Sequence, residues 1–244
     1  MRLYLIAMQF LTIIPLPFNT HCEKEDLGRS TALFPLAGLT IGSFLVGLNW
    51  LISPWLVRPL CDALLIAALA AVTGALHLDG LADVCDGLAA RGGRERFLAV
   101  MKDSQVGAVG AVGLMLGLLL KWQALAAVPV EVKWQALLLF PVLARFGQVL
   151  ALTGASHARQ DGLGAAFVQG AGVGPLSLAF ITAVSIGFML LGFKALFVLA
   201  AVCLLSGAGR LFFQRRLGGL TGDTVGCISE LNEILALILI SAAP

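Results

Sequence analysis

Long apolar runs, each close to the length that crosses a bilayer, constrain this chain more than any other feature. A hydrocarbon core about 30 Å thick needs roughly 20 apolar residues of α-helix. Hydrophobic residues make up 59% of the chain and charged residues only 12%, whereas soluble domains carry about 25% charged residues. The runs cover approximately residues 33–51, 60–78, 106–120, 134–153, 175–209 and 225–240.

The run over residues 175–209 is too long for one span, and Gly192 with Lys194 indicates a tight turn in its middle. We therefore predict an all-α, polytopic transmembrane bundle of about seven spans, forming one membrane domain over residues 1–244. A further apolar segment, residues 3–18, lacks the small-residue cleavage site of a signal peptide. We expect it to lie at the membrane interface or to pack among the helices.

The basic residues indicate an orientation, because cytoplasmic loops of membrane proteins are enriched in lysine and arginine. Grouping alternate loops assigns ten basic residues to one side: Lys24, Arg29, Arg91, Arg94, Arg96, Lys102, Arg159, Arg210, Arg215 and Arg216. Four fall on the other side: Arg58, Lys121, Lys133 and Lys194. We predict that the first side is cytoplasmic. The acidic residues Asp79, Asp83, Asp86, Asp103 and Asp223 all fall there.

The segment His77–Gly87 carries three aspartates, Asp79, Asp83 and Asp86, at spacings i, i+4 and i+7. On a helix these carboxylates share one face and repel each other. A bound hard cation removes that repulsion, and carboxylate oxygens suit magnesium, manganese or calcium. The alternative is a solvated helix end at the membrane surface. The five cysteines are scattered and contain no CxxC pair, which argues against zinc.

Two further segments combine acids with cations. In Met101–Gly107, Lys102 is suited to contact a phosphate. Asp103 or Ser104 could instead cap the following helix, and this segment supports the capping and the functional interpretation equally. In Gly222–Glu233, Asp223 and Glu230 share a face, and Glu230 and Glu233 lie inside an apolar run, where ionisable groups are costly and usually functional. Structural ion pairing, for example with Arg145 of another run, is the alternative explanation.

Arg145 lies in the middle of an apolar run, and a buried guanidinium suits phosphate or carboxylate recognition. His157 by itself is weak evidence for function. Together the acids and cations indicate phosphoryl chemistry at a membrane face, and the absence of a Walker A motif argues against a P-loop enzyme.

A secondary transporter remains an alternative, since intramembrane acids also occur in transporters. A second alternative is a CDP-alcohol phosphotransferase, whose opening DGxxAR matches Asp86–Arg91 but whose two later aspartates are missing.

Several separated motifs, in order, resemble the cobalamin synthase family, whose activity is adenosylcobinamide-GDP ribazoletransferase. They are Phe34-Pro-Leu-x-Gly38, His77-Leu-Asp-Gly-Leu-Ala-Asp with Asp86-Gly, Met101-Lys-Asp-Ser, Arg159 with Gly162-Leu-Gly164, and Gly222-Asp-Thr-x-Gly with Glu230. The resemblance covers nearly the whole chain. It implies that α-ribazole, or its 5′-phosphate, is joined to adenosylcobinamide-GDP with release of GMP.

The same resemblance implies magnesium dependence and a bacterial cytoplasmic (inner) membrane location. We expect the metal ligands to be Asp79, Asp83, Asp86 and Asp103. We expect the catalytic acids to be Asp83, Asp223 and Glu230. We expect the substrate-binding residues to be His77, Lys102, Ser104, Arg145 and Arg159. The expected partners are the two small-molecule substrates and the lipid bilayer, without nucleic acid, together with a homo-oligomer or a complex with other cobalamin-pathway enzymes.

Overall fold

The computed structural model describes residues 1–15, 24–158, 167 and 170–242, and in these residues the chain is built from helices. Short 3-10 turns at Thr31–Leu33 and Val130–Val132 lead into two of them. The α-helices are α1 (Arg2–Leu11), α2 (Lys24–Ser30), α3 (Phe34–Ile52), α4 (Arg58–Val72), α5 (Leu76–Ala89), α6 (Arg94–Val100), α7 (Ala108–Ala127), α8 (Lys133–Leu152), α9 (Val173–Leu191), α10 (Phe193–Leu217) and α11 (Gly222–Ala242).

Six helical segments of the described chain are long and apolar enough to cross a membrane. They contain α3 with its leading turn, α7, α8, α9, α10 and α11, and the bent pair α4–α5 makes a seventh. The predicted all-α bundle of about seven spans is therefore confirmed. The predicted turn at Gly192 is also confirmed, because α9 ends at Leu191 and α10 begins at Phe193 around a glycine with φ of 57°.

The second predicted span, residues 60–78, is wrong at its end. Helix α4 stops at Val72, and α5 begins at Leu76 after a bend of 90°. The break uses left-handed backbone at Gly74 and Ala75, with φ of 61° and 54°. The segment leading out of α1 fits against the break, since the amide of Ile13 donates to the carbonyl of Val72 at 2.9 Å. The bend separates the acidic helix α5 from the apolar helix α4.

Helix α8 is the centre of the bundle, since nearly all of its side chains are buried. Helix α3 packs closely along it because two glycines, one turn apart, admit the α8 backbone. A Cβ atom on Gly38 would lie 2.6 Å from the Pro141 carbonyl oxygen, and one on Gly42 would lie 2.8 Å from the Leu137 carbonyl oxygen. Small residues at such positions allow transmembrane helices to approach closely. These contacts fix α3 antiparallel to α8.

Helix α7 is longer than predicted. The third predicted span ended at Leu120, which assigned Lys121 to a loop on the far side. In the structure α7 continues to Ala127, and Lys121 is buried in its last third. The helix continues through a charged residue because that charge is neutralised by carboxylates of α11 (described below). Lys121 therefore does not count toward the orientation, and that part of the prediction is corrected.

The N-terminal helix α1 packs among the other helices, which was one of the two predicted alternatives. Its Ile6, Met8 and Leu11 side chains are buried, and the hydroxyl of Tyr4 lies 2.5 Å from that of Thr40 on α3. With ten residues, α1 is only about half as long as a span requires. It covers the α3 side of the bundle and ends at the α4–α5 break.

Replacing Gly42 with alanine tests the close packing of α3 on α8. The added methyl group would meet α8 backbone atoms that have no room to move, so we expect a clear loss of thermal stability in detergent. The matched variant is Gly47→Ala on the same helix, where a Cβ meets no atom within 4 Å. We expect its melting temperature to equal or exceed that of the parent. Equal melting temperatures for both variants would contradict this account of the packing.

Candidate active site

The bundle has two ends that differ in polarity. One end, which we call the acidic end, contains the loops between α5 and α7 and between α10 and α11, together with residues 153–158 after α8. Arg94 ties these loops together by donating to the carbonyls of Leu217 and Ala158, at 2.6 and 2.8 Å. Arg210 and Arg216 also donate to backbone carbonyls of neighbouring loops. The other end, which we call the far end, contains the α3–α4 and α7–α8 connections.

The predicted acidic face of α5 lies at the acidic end. Asp79 is exposed and Asp83 is half-buried, one helical turn apart. Asp86, the third predicted carboxylate, has a defined structural role. Its two oxygens accept hydrogen bonds from the backbone amides of Gly107 and Gly110, both at 2.7 Å. These amides belong to the first turn of α7, where N–H groups have no partner within the helix.

Asp86 therefore caps α7 from another helix, a function that the sequence had assigned to Asp103 or Ser104. The two hydrogen bonds to Asp86 require small residues at the start of α7, since a Cβ atom on Gly110 would lie 2.2 Å from a carboxylate oxygen of Asp86. Two turns further along, a Cβ on Gly117 would lie 2.9 Å from the side chain of Leu81. A glycine-lined face of α7 thus holds α5 in place.

Asp223 lies beside α5 because α11 begins there. The side chains and backbones of Thr221 and Thr224 form reciprocal hydrogen bonds of 2.9 and 3.2 Å at the start of α11. Gly80 of α5 packs on this turn, and a Cβ atom on it would lie 2.5 Å from the Asp223 carbonyl oxygen. Asp79, Asp83 and Asp223 are therefore brought to two adjoining helix segments, as their predicted shared role requires.

The other predicted residues of the acidic end lie in the loop that follows α6. Lys102, Asp103 and Ser104 are exposed, and an oxygen of Asp103 accepts the backbone amide of Gln105 at 3.1 Å. Arg159 lies outside the described residues. Among the residues that are described, no three histidine, cysteine, aspartate or glutamate side chains are arranged to hold a metal ion. The metal ligand assignments therefore remain predictions.

A network of four buried charges lies in the bundle interior. The Nζ of Lys121 on α7 is 2.5 Å from Glu230 and 2.6 Å from Glu233, both on α11. Glu233 also pairs with Arg145 on α8. The four side chains have exposed fractions of 6% or less. The ion-pair interpretation of Glu233 and Arg145 is confirmed, while the predicted catalytic role of Glu230 and substrate-binding role of Arg145 remain predictions.

His77, predicted to bind substrate, is buried next to this network. Its Nε2 lies 2.7 Å from the side-chain nitrogen of Gln148 on α8. Gly226 of α11 packs against the backbone of His77, since a Cβ atom on this glycine would lie 3.3 Å from the His77 Cα. This contact joins α5 to the helices that hold the buried charges. His77 therefore connects the acidic face with the interior network.

The chain matches the family model described as cobalamin-5-phosphate synthase over residues 3–241. The chain belongs to the cobalamin-5-phosphate synthase family. It is 57% identical over 242 residues to the adenosylcobinamide-GDP ribazoletransferase of Geotalea daltonii, covering 99% of this chain and 98% of the relative. It is 38% identical over 244 residues to the enzyme of that name from Pseudomonas aeruginosa, covering 99% of this chain and 98% of the relative.

A third relative of the same name, from Acetivibrio thermocellus, is 34% identical over 236 residues, covering 96% of this chain and 95% of the relative. No solved structure matches the chain. The family predicted from the motifs is confirmed by these full-length similarities. The similarity to these three relatives therefore extends over nearly the whole chain and is not limited to one motif.

Sequence reasoning missed two residues of this region. Lys121 was assigned to a loop, although the apolar run continues from Ala124 to Val128 beyond it and would have indicated a longer helix. Gln148, which contacts His77, gave no signal, because a single glutamine in an apolar run has no characteristic spacing. Both residues matter through partners on other helices, which a local pattern does not identify.

Replacing Lys121 with methionine tests the buried network. Without the ammonium group, Glu230 loses its ion-pair partner and Glu233 keeps only Arg145. Removing one partner of a buried ion pair costs about 3–5 kcal/mol, so we expect a large fall in melting temperature in detergent. The matched control is Arg29→Ala, which removes the exposed Arg29–Glu25 pair, where the side chains are 61% and 64% exposed. If Lys121→Met melts as the parent does, the network does not stabilise the bundle.

Proposed function

We propose that this chain is an adenosylcobinamide-GDP ribazoletransferase. It joins α-ribazole, or α-ribazole 5′-phosphate, to adenosylcobinamide-GDP, forming adenosylcobalamin or its 5′-phosphate and releasing GMP. The observation that carries the proposal is the 57% identity, over 99% of this chain and 98% of the relative, with a protein of that name. The similarity extends over 99% of this chain, so the acidic end and the interior network both lie in the region compared.

The reaction is a transfer at phosphorus. A ribose hydroxyl oxygen of the nucleoside forms a bond to the phosphorus that carries the aminopropanol arm of cobinamide. The bond from that phosphorus to the oxygen bridging it to GMP breaks, and GMP departs with that oxygen. The hydroxyl proton must be accepted during the attack. Groups for such a step must neutralise developing negative charge, orient phosphate oxygens and accept one proton.

The acidic end contains groups suited to these tasks. Asp223 lies beside α5 and is half-buried, which suits it to hold the proton from the attacking hydroxyl at a carboxylate oxygen. The exposed Lys102 is suited to orient phosphate oxygens, and Ser104 near it offers a hydroxyl. Arg159 is assigned to phosphate by the family motif alone. The buried residues Arg145 and His77, predicted to bind substrate, and Glu230, predicted to act in catalysis, also have contacts that hold α5, α8 and α11 in position.

Magnesium fits the residues at this end. Mg²⁺ usually keeps several waters and takes one or two carboxylates together with substrate phosphates, so a cluster of three protein ligands is not required. Asp79 and Asp83, one turn apart at the exposed side of α5, would hold it. Asp86 is committed to the amides of α7, and Asp103 would add a ligand from the neighbouring loop. When bound, magnesium supplies positive charge that neutralises the phosphate oxygens.

We also propose that the acidic end faces the cytoplasm of a bacterial cell, with the bundle in the inner membrane. Basic residues gather at this end, among them Arg29, Arg91, Arg94, Arg96, Lys102, Arg210, Arg215 and Arg216. At the far end Lys133 is buried in an ion pair, which leaves Arg58 and Lys194 as its other basic residues in the described part of the chain. This asymmetry is typical of the positive-inside rule.

The test is product formation by the purified full-length protein with adenosylcobinamide-GDP, α-ribazole and magnesium. We expect GMP and a cobalamin to appear in equal amounts, and both to stop when a chelator removes the metal. CDP-activated alcohols are the control substrates and should give no product. Protein that melts cooperatively, yet gives neither product with both substrates present, would contradict the proposal. Product that forms equally well in chelator would contradict the magnesium requirement alone.

A further inference from the structure

The four tryptophans of the chain all lie at the far end of the bundle. Trp50 and Trp55 are at and beyond the last turn of α3, and Trp134 begins α8. Trp122, near the end of α7, donates its indole N–H to the carbonyl of Pro59 at 3.0 Å. Tryptophan is enriched where a membrane meets water, because the ring is apolar and its N–H is polar. The far end is therefore marked as a membrane interface.

A cavity of about 340 Å³ opens at this interface, between the end of α3 and the beginnings of α4 and α8. That volume is within the range of small-molecule sites. Its lining is both aromatic and polar, with Asn49, Trp50, Ser53, Arg58, Lys133 and Trp134 among the lining residues. None of these residues belongs to the acidic end, so the cavity is separate from the proposed active site.

The ion-pair cluster of Asp62, Arg58 and Lys133 beside this cavity carries one excess positive charge. Asp62 of α4 is fully buried, with Lys133 Nζ at 2.6 Å and Arg58 Nε at 3.7 Å. Two cations therefore share one carboxylate, and one positive charge remains at the cavity wall. Arg58 is 34% exposed there, while the Lys133 side chain is only 9% exposed. An anionic ligand would neutralise the remaining charge, and Arg58 is the cation it would reach.

One polar atom of the lining, the acceptor Asn49 Oδ1, is buried without a hydrogen-bond partner. The Arg58 Nε faces the buried Asp62 carboxylate at 3.7 Å, and another nitrogen of the same guanidinium donates to the carbonyl of Val128. Buried polar atoms nearly always find partners. A hydroxyl group on a ligand would donate to Asn49, and an anionic group on the same ligand would neutralise the excess positive charge beside Arg58. The cavity therefore offers one unpaired acceptor and one excess positive charge.

We infer that this cavity binds the headgroup of an anionic glycerophospholipid whose headgroup carries hydroxyls, such as phosphatidylglycerol. Its phosphodiester lies toward Arg58, and a headgroup hydroxyl donates to Asn49. Its acyl chains lie along the apolar surface beside Trp50, which is 68% exposed, and Leu51, which is also 68% exposed. A membrane lipid is favoured over a soluble phosphate because the lining and rim are aromatic and apolar and lie at the interface.

The experiment measures lipid binding by the delipidated full-length protein in detergent micelles. Phosphatidylglycerol with brominated acyl chains quenches nearby tryptophans, and its mole fraction is varied at constant total lipid with phosphatidylcholine as the balance. We expect saturable quenching at a low mole fraction of phosphatidylglycerol. Brominated phosphatidylcholine, varied in the same way, should quench only in proportion to its mole fraction.

Two variants address the site itself. Arg58→Gln and Asn49→Leu should each weaken the apparent affinity for phosphatidylglycerol by about tenfold, the usual effect of losing a charge-assisted hydrogen bond or leaving a partner unsatisfied. The matched control is Arg215→Gln, which removes the same charge at the acidic end and should bind as the parent does. If Arg58→Gln does not fold, Asn49→Leu provides the test, because the side-chain oxygen of Asn49 has no hydrogen-bond partner in the fold.

Two results would overturn the inference. Equal affinity for the two lipids, or parental affinity in both cavity variants, would show that the cavity does not select an anionic headgroup. Inorganic phosphate or glycerophosphoglycerol that prevents lipid quenching at low concentration would assign the cavity to a soluble phosphate. Catalytic activity is measured in parallel, and we expect Asn49→Leu to leave it unchanged.

Discussion

The buried pairing of Lys121 and Arg145 with Glu230 and Glu233 is the constraint on which the rest of the bundle depends. An unpaired charge inside an apolar bundle is very costly, and each of these four charges has its partner on another helix. The pairing therefore fixes α7, α8 and α11 relative to one another. Hydrophobic packing alone would leave such helices free to slide, because lipid tails are as apolar as the helix faces.

The acidic helix α5 is positioned by contacts that reach it from those three helices. His77 meets Gln148 of α8, Gly80 and the backbone of α11 approach closely, and Asp86 caps α7. A change in the interior network would therefore move the carboxylates at the acidic end without touching them. The two groups of acids differ in their surroundings, since the interior acids pair with cations of other helices and the proposed role in phosphate chemistry falls to the acids of the outer face.

Much of the fold could be predicted from the sequence, because hydropathy follows from local composition. The spans, the turn at Gly192 and the placing of Asp79, Asp83 and Asp86 on one helix all follow from runs and spacings. The break between α4 and α5 could not be predicted, since the apolar run continues through it and the left-handed Ala75 has no sequence signature. The length of α7 could have been read from the apolar run that resumes at Ala124. The partner of Lys121 could not, because Glu230 lies more than 100 residues away.

The site was predicted only in part, because a local sequence pattern does not identify partners on other helices. Asp223 was predicted to lie at the same membrane face as the aspartates of α5, and the structure places the start of α11 against Gly80 of that helix. The capping role of Asp86 was missed, because its partners Gly107 and Gly110 are 21 and 24 residues away and no local pattern connects them. The ion pairs of Glu233 were anticipated only as an alternative, since a carboxylate in an apolar run gives the same signal whether it binds a ligand or another helix.

The measurement that tests the account most directly is the binding of Mn²⁺, as a spectroscopic substitute for magnesium, by electron paramagnetic resonance. The full-length protein is titrated with Mn²⁺ in the presence and absence of adenosylcobinamide-GDP, for the parent, Asp83→Asn and the exposed control Glu95→Gln. The account predicts tight binding that needs the substrate and that Asp83→Asn loses, with GMP release falling by roughly 100-fold. Parental binding and turnover in folded Asp83→Asn would contradict it.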